Sequence, residues 1–413
     1  MQRRQFMAGL GVALGTGVTG LAVTPNGNAK MARRAATGRG VELTSLHLED
    51  TLLGSSYLGC GGGGGLGAAR ELIASDLAAG LSYRQLSVSD LSDDEMVASP
   101  YALESLAPVD EQMQARLDQI SAPTEMPTIS SFRLLEDYLG INFSAVIIGE
   151  IGPESMAEGL SLGARIGIPS LDADTVGRAT PEINQHSVRV AGHAITPAAA
   201  VTQFGDQVIL KHVEDPSREE DVFRALSVVS RLVGVTDAAI SGAVAKSEHV
   251  LVQGSLSLAA NIGRAVREAS AAGRDPIDAA RSAGDGYRLF EGVVRTYDWV
   301  DRDGFLVGDV TIDGSGAFKD QSLVLDYKNE HLVAKKGGVV LATCPDLITM
   351  VDRETNEGIG NPDFEKGQSV VVLAFRAAAL WRRPEGLAVF QPRYFGYDVD
   401  YVPVEDRLQT LSR

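Results

Sequence analysis

Cysteine is almost missing from these 413 residues: only Cys60 and Cys344 occur, 284 positions apart. A disulfide framework and a Cys-based zinc site are both excluded. The six histidines (His47, His186, His193, His212, His249, His331) never fall into HxH or HxxxH spacing, so any metal site must lean on carboxylates. Basic charge is short as well. The chain has 37 Lys plus Arg, only eight of them Lys, against 54 Asp plus Glu, for a formal charge of -17. No Lys/Arg run relieves that excess, which argues against nucleic acid and anionic membrane surfaces as partners. Beyond residue 40 the longest uncharged stretch, Thr51 to Ala69, is broken by the glycine run 61–65 and does not read as a membrane-spanning helix. Fixed-period repeats and low-complexity linkers are lacking too. What is present is a 44% hydrophobic chain, long enough for two or three domains with cores of their own.

The first forty residues differ from the rest. Arg3 and Arg4 precede Phe6, and Met7 to Val23 then runs apolar and glycine-rich without a charge. This pattern predicts export by the twin-arginine route. An A-x-A cleavage site is missing and the basic residues Lys30, Arg33 and Arg34 follow, so the alternative is a cytoplasmic protein whose true start is Met31. Residues 1–40 hold six basic residues and no acid, which leaves the remainder at -23.

The spacing from His47 to Tyr57 predicts a helix, Gly61 to Gly65 a loop, and Leu66 to Ala79 a second helix. Glu95 to Ser99 reads as a strand closed by Pro100, and Ile129 to Leu139 as a helix. Ala145 to Gly149 is a continuous apolar strand; Pro153 opens a helix with Met156, Leu160 and Ala164 on one face; and Ile168 to Leu171 is a second strand, ending in Asp172-Ala173-Asp174. Strand, helix, strand is a parallel βαβ unit, which brings both carboxyl ends to one sheet edge. Val188 to Ala191 and Val208 to Val213 read as strands, and Glu219 to Val233 and Leu258 to Ala272 as helices. After Gly286 short β-type runs are split by Gly, Asp and Asn turns. The expected architecture is an α/β N-terminal domain over 41–203, then a mixed C-terminal domain over 204–408. That second domain is expected to be helical over 217–284 and β-rich over 286–380, ending in a sandwich or barrel.

Three groups of residues could carry chemistry. Cys60 and the run Gly61, Gly62, Gly63, Gly64 and Gly65 open a helix, where exposed N–H groups can cradle an anion and lower the pKa of a neighbouring thiol. No Gly-Lys-Ser/Thr follows, and a helix rather than a strand precedes, so the run is neither a P-loop nor a dinucleotide fingerprint. A tight turn over which another segment packs is the plain alternative, and a Cys60 nucleophile a further one. Glu150, Asp172 and Asp174 converge at the βαβ edge, where carboxylates can hold a divalent cation or split their pKa values for acid–base work. Arg178 and Glu182 could add a charge clamp and a further carboxylate; alternatively Asp172 caps a turn while Asp174 pairs with Arg178. The third group, Lys246, Glu248 and His249, could relay protons but equally fits an exposed helix end. His186 and His193, seven positions apart across a predicted strand, would face opposite ways.

LGCGGGGG, LDADTVGRATPE, AGRDPIDAA, NEHLVAKKGGVVLATCPDLITMVDRETNEGI and PRYFGYDVDYVPVE, in this order over about residues 45 to 405, resemble the S-methyl thiohydantoin desulfurase family. The resemblance implies a desulfurase-type α/β domain followed by a β-rich one, and an association with hydantoinase and oxoprolinase systems that act on five-membered cyclic amides. Cys60 to Gly64, Glu150, Asp172, Asp174, Gly177, Arg178 and Glu182 fall on the family's motifs. The chain departs where the family usually continues Glu-x-Gly-Gly-x-Asn, reading Glu150-Ile151-Gly152-Pro153-Glu154-Ser155, and again at Gly65 and Leu66. The expected function is hydrolysis of a hydantoin-like or S-methyl thiohydantoin-like ring, replacing C–S by C–O. Glu150 or Asp172 would be base or metal ligand, Arg178 anion clamp and the glycine loop donor nest. A Zn²⁺ or similar ion held by Glu150, Asp172 and Asp174 would activate the water. The rival is a non-catalytic, ligand-binding subunit of a hydantoinase-type partner; a homo-oligomer is also open.

Overall fold

The computed structural model describes residues 38–105 and 111–412. The Arg3–Arg4 export pattern and the alternative start at Met31 lie outside the described residues.

Nine strands from the first two thirds of the chain build one mixed sheet: β1 (Val41–Glu42), β2 (Arg84–Leu86), β3 (Met96–Glu104), β4 (Ala145–Ile148), β5 (Ser170–Asp174), β6 (Ala198–Thr202), β7 (Gln207–Leu210), β8 (Leu232–Ser241) and β9 (Val252–Gln253). Their order is β1-β2-β5-β4-β3-β8-β6-β7, with β9 beside β5. The pairs β2–β5, β5–β4 and β4–β3 are parallel and the others antiparallel. The expected βαβ unit is β4, the helix Pro153–Ile166 and β5. Its helix has Pro at the start and a left-handed Gly167 at the end, the usual punctuation, and it buries Met156 and Leu160 in the core beside the sheet.

Several expectations change. Asp172 and Asp174 lie within β5, not beyond it. Val188–Ala191 is not a strand: Ser187–Val190 is a helical turn, so the two-face argument for His186 and His193 falls. β3 runs through Pro100 to Glu104. It pairs with β4 only at Val97 and Ala98, so beyond that point its β4 side has no ladder bond for proline to break.

The first sheet continues past the expected boundary at 203/204. β8 and β9 belong to the first sheet, β8 interrupts the expected helical stretch 217–284, and the helix α2 (Ser255–Ala271) packs along α1 (Ser45–Leu58). Glycine permits that close crossing: a Cβ on Gly54 would lie 1.7 Å from Ala259 O, and one on Gly263 1.9 Å from Asp50 O.

The texture changes at Tyr287. Seven antiparallel strands, β10 (Tyr287–Arg302), β11 (Phe305–Gly314), β12 (Ser322–Lys328), β13 (Glu330–Lys336), β14 (Val339–Thr343), β15 (Leu347–Asp352) and β16 (Ser369–Phe375), run in the order β14-β13-β12-β11-β10-β16-β15. The sheet curls into a half-barrel, and β15 packs towards β13 and β14. Phe290, Val310, Leu325 and Val372 are among its fully buried core. Leu347 and Val351 of β15 share the core of α1, and Trp381 donates to Val176 O at 2.6 Å, so the two halves are packed together through helix and loop segments. Among the described residues no helix is long and apolar enough to cross a membrane.

Candidate functional site

The glycine run turns between α1 and the helix Leu66–Ala78, with Gly61, Gly63 and Gly64 at φ of 90°, 70° and 78°, a region only glycine enters freely. Close neighbours impose glycine a second time. A Cβ on Gly62 would sit 1.7 Å from Glu330 Oε1, one on Gly63 2.5 Å from Gly152 Cα, and one on Gly64 2.4 Å from Glu154 Cβ. Both sheets clamp the loop: His331 N donates to Cys60 O (2.8 Å), Asn361 N to Gly61 O (2.7 Å) and Glu154 N to Gly63 O (2.8 Å). The N–H groups of Gly63 and Gly64 have no acceptor among the described residues. Two adjacent free N–H groups form a small anion nest.

The loop floors a cleft of about 210 Å³ between the two sheets. On one wall stands Glu150, just beyond β4, whose Oε1 accepts from Ser155 Oγ (2.8 Å) and Oε2 from Thr180 N (2.9 Å). Burial raises its pKa above the ordinary carboxylate value. On the other wall stands Glu330, the first residue of β13, 3% exposed, its Oε2 without a hydrogen-bond partner. Burial first, and then the negative charge of Glu150, push its pKa far up. Two carboxyls in this relation titrate as a pair, and the charge of one disfavours ionisation of the other.

Two family models match the chain: the S-Me-THD-like N-terminal domain over residues 46–212 and the S-Me-THD-like C-terminal domain over residues 214–404. The chain belongs to the S-methyl thiohydantoin desulfurase family. A crystal structure of a protein from Chromobacterium violaceum shares the fold, at 23% identity and a TM-score of 0.69, covering 88% of this chain and 100% of that one. No curated protein matches.

In this desulfurase-family member the residues expected from sequence separate into two groups. Gly61, Gly62, Gly63, Gly64, Glu150 and Glu182 line the cleft. Burial would raise the Glu182 pKa, but the Lys328 ammonium beside it brings it below the usual value, and Tyr394 OH donates to it at 2.7 Å. Asp172 is withdrawn from the site, because both its oxygens are taken by Ser257, at 3.0 Å from N and 2.6 Å from Oγ. Asp174 is fully buried; its Oδ2 accepts from Val176 N and Gly177 N, and burial pushes its pKa up to about 7. The carboxylate trio therefore does not assemble, and among the described residues no group of three or more His, Cys, Asp or Glu is arranged to hold a metal ion.

Arg178 is 1% exposed, and its guanidinium donates to Ala179 O (2.9 Å), Asp346 O (3.0 Å) and His331 O (3.1 Å). It is a strut between the sheets instead of an anion clamp, and it does not pair with Asp174. Cys60 is fully buried, its thiol donating to Leu58 O at 3.2 Å. Burial raises its pKa to about 11, so desolvation outweighs the lowering expected from the glycine amides. Lys246 is spent at the surface on Leu91 O (2.9 Å) and Asp93 (2.5 Å), outside the cleft.

Sequence reasoning missed Glu330. Its one signal was a charged residue, followed by histidine, at the head of a strand that is otherwise apolar up to Ala334. His331 itself is fully buried and kept neutral, its pKa lowered to about 4 by burial.

Proposed function

We propose that the cleft hydrolyses the C–S bond of an S-methyl thiohydantoin-like ring. Water attacks the ring carbon that bears sulfur, and the ionised member of the Glu150–Glu330 pair takes its proton. The C–O bond forms, the C–S bond breaks, the protonated member gives its proton to the departing sulfur and the second proton of the water passes to the ring nitrogen, so that water and the S-methyl ring become the ring amide and methanethiol. The Gly63 and Gly64 N–H groups would stabilise negative charge that develops on the ring during attack. The observation that carries this reading is that a half-buried Glu150 and a buried Glu330 line one cleft, near enough for the charge of Glu150 to raise the Glu330 pKa, the relation that lets two carboxyls divide acid and base roles. Family membership supports the ring chemistry. Purified protein with an S-methyl thiohydantoin and a thiol-trapping reagent tests it. Glu330→Gln and Glu150→Gln are each expected to lower thiol release by about 10²–10⁴-fold with the fold retained. Unchanged release in both variants overturns the proposal, as does a wild type that binds the ring without turning it over, the behaviour of an accessory subunit.

A further inference from the structure

At another point on the cleft wall lies a polar cluster that the proposed reaction does not use. His186 lines the cleft but is only 4% exposed, and neither ring nitrogen has a hydrogen-bond partner among the described residues. Its Nε2 lies 3.4 Å from Asp237 Oδ1. Asp237 is fully buried on β8; its Oδ2 accepts from Tyr101 OH at 2.9 Å, while Oδ1 has no other partner. Tyr101 lines the same cleft. Next to Asp237 the backbone is strained, since Ala238 stands at φ 47° and the β3–β8 register shifts between Val97 and Ser99. Strain and unpaired buried polar atoms are both costly, and folds keep them where something else is gained.

We infer that His186, oriented by Asp237, is a binding group for a ring N–H of the heterocycle. The carboxylate beside Nε2 draws the ring proton to that nitrogen, which leaves Nδ1 as an acceptor. An acceptor at Nδ1 fits an amide N–H; it does not fit an N-alkylated ring, which has no proton to offer. The loop that leads to His186 also carries Thr180, whose N–H holds Glu150 and whose Oγ1 donates to Gln185 Oε1 at 3.0 Å. A ring fixed at His186 is thereby registered against the carboxyl pair. This inference rests on the proposed reading only for the kind of ring.

Binding of hydantoin, which has no sulfur to lose, tests it apart from turnover. Titration calorimetry with the full chain compares hydantoin with 1,3-dimethylhydantoin. The wild type should prefer hydantoin by tenfold or more. His186→Phe should lose that preference, His186→Gln, which keeps an amide acceptor, should restore part of it, and Asp237→Asn should weaken it, each with an unchanged circular-dichroism spectrum. A wild type that binds both compounds alike, or a His186→Phe protein that still discriminates, overturns the inference even if thiol is released. Discrimination that depends on His186 sustains it even if no thiol is released.

Discussion

Gly62→Ala is a one-methyl test of the arrangement over the loop. Gly62 is not among the positive-φ glycines, so alanine meets no backbone penalty and the effect is steric. The new Cβ would stand 1.7 Å from Glu330 Oε1, 2.5 Å from its Cδ and 2.7 Å from its Cγ. Ordinary contact begins near 3.4 Å, twice the closest of these separations, so the whole carboxyl group has to leave. Overpacking of this kind costs about 1–3 kcal/mol, which for a protein of this size lowers the melting temperature by a few degrees, at roughly 2–4 °C per kcal/mol. Turnover should fall much further, because a displaced acid or base forfeits about 10²–10⁴ in rate. Thermal melts and thiol release measure the two losses. In Gly62→Ala/Glu330→Ala the clash is gone, so the stability losses should fall short of additive by about 1 kcal/mol or more while activity stays lost. A fully additive double variant, or a Gly62→Ala protein that melts and turns over like the wild type, refutes the placement of Glu330 over the loop.

The fold was legible in sequence wherever one segment decided its own structure. The run Ala145–Ile148, the Pro153 helix start and the β-type segments after Gly286 need no distant partner to be recognised. Legibility failed where the outcome depends on long-range pairing. β8 was expected to be part of a helical stretch because its ladder partners, β3 and β6, come from earlier parts of the chain, and no local pattern announces that pairing. The site follows the same rule. The glycine run and Glu150 announced themselves through local pattern, but Glu330 acquires its meaning only when the half-barrel lays it against Gly62, a contact between residues 268 positions apart. Asp172 and Arg178 erred in the opposite direction, because charged residues at a strand end look catalytic until the hydrogen bonds that occupy them are seen.

The remaining predictions concern these occupied and buried charges. Asp172→Asn keeps one oxygen for Ser257, so it should cost about 1 kcal/mol of stability by chemical denaturation and leave thiol release within a few-fold of wild type; a large loss of turnover would return Asp172 to the site. Alkaline pH should destabilise the fold. Burial raises Glu158 to about 8 and Glu219 to about 9, so between their ordinary value near 4.5 and these values the native state keeps protons that the unfolded chain has released. Such a contribution is whole below the unfolded value and is lost as pH rises through the folded one, by up to about 1.4 kcal/mol per pH unit for each group. His331, lowered to about 4, acts in the opposite sense, but only between about pH 4 and its ordinary 6.5. Above pH 6.5 the carboxyls act alone, so the melting temperature at constant ionic strength should fall from pH 6.5 to 9. Glu219→Gln, which cannot ionise, should flatten that slope; a variant with the full slope would show that Glu219 is already charged at neutral pH and that burial does not hold its proton.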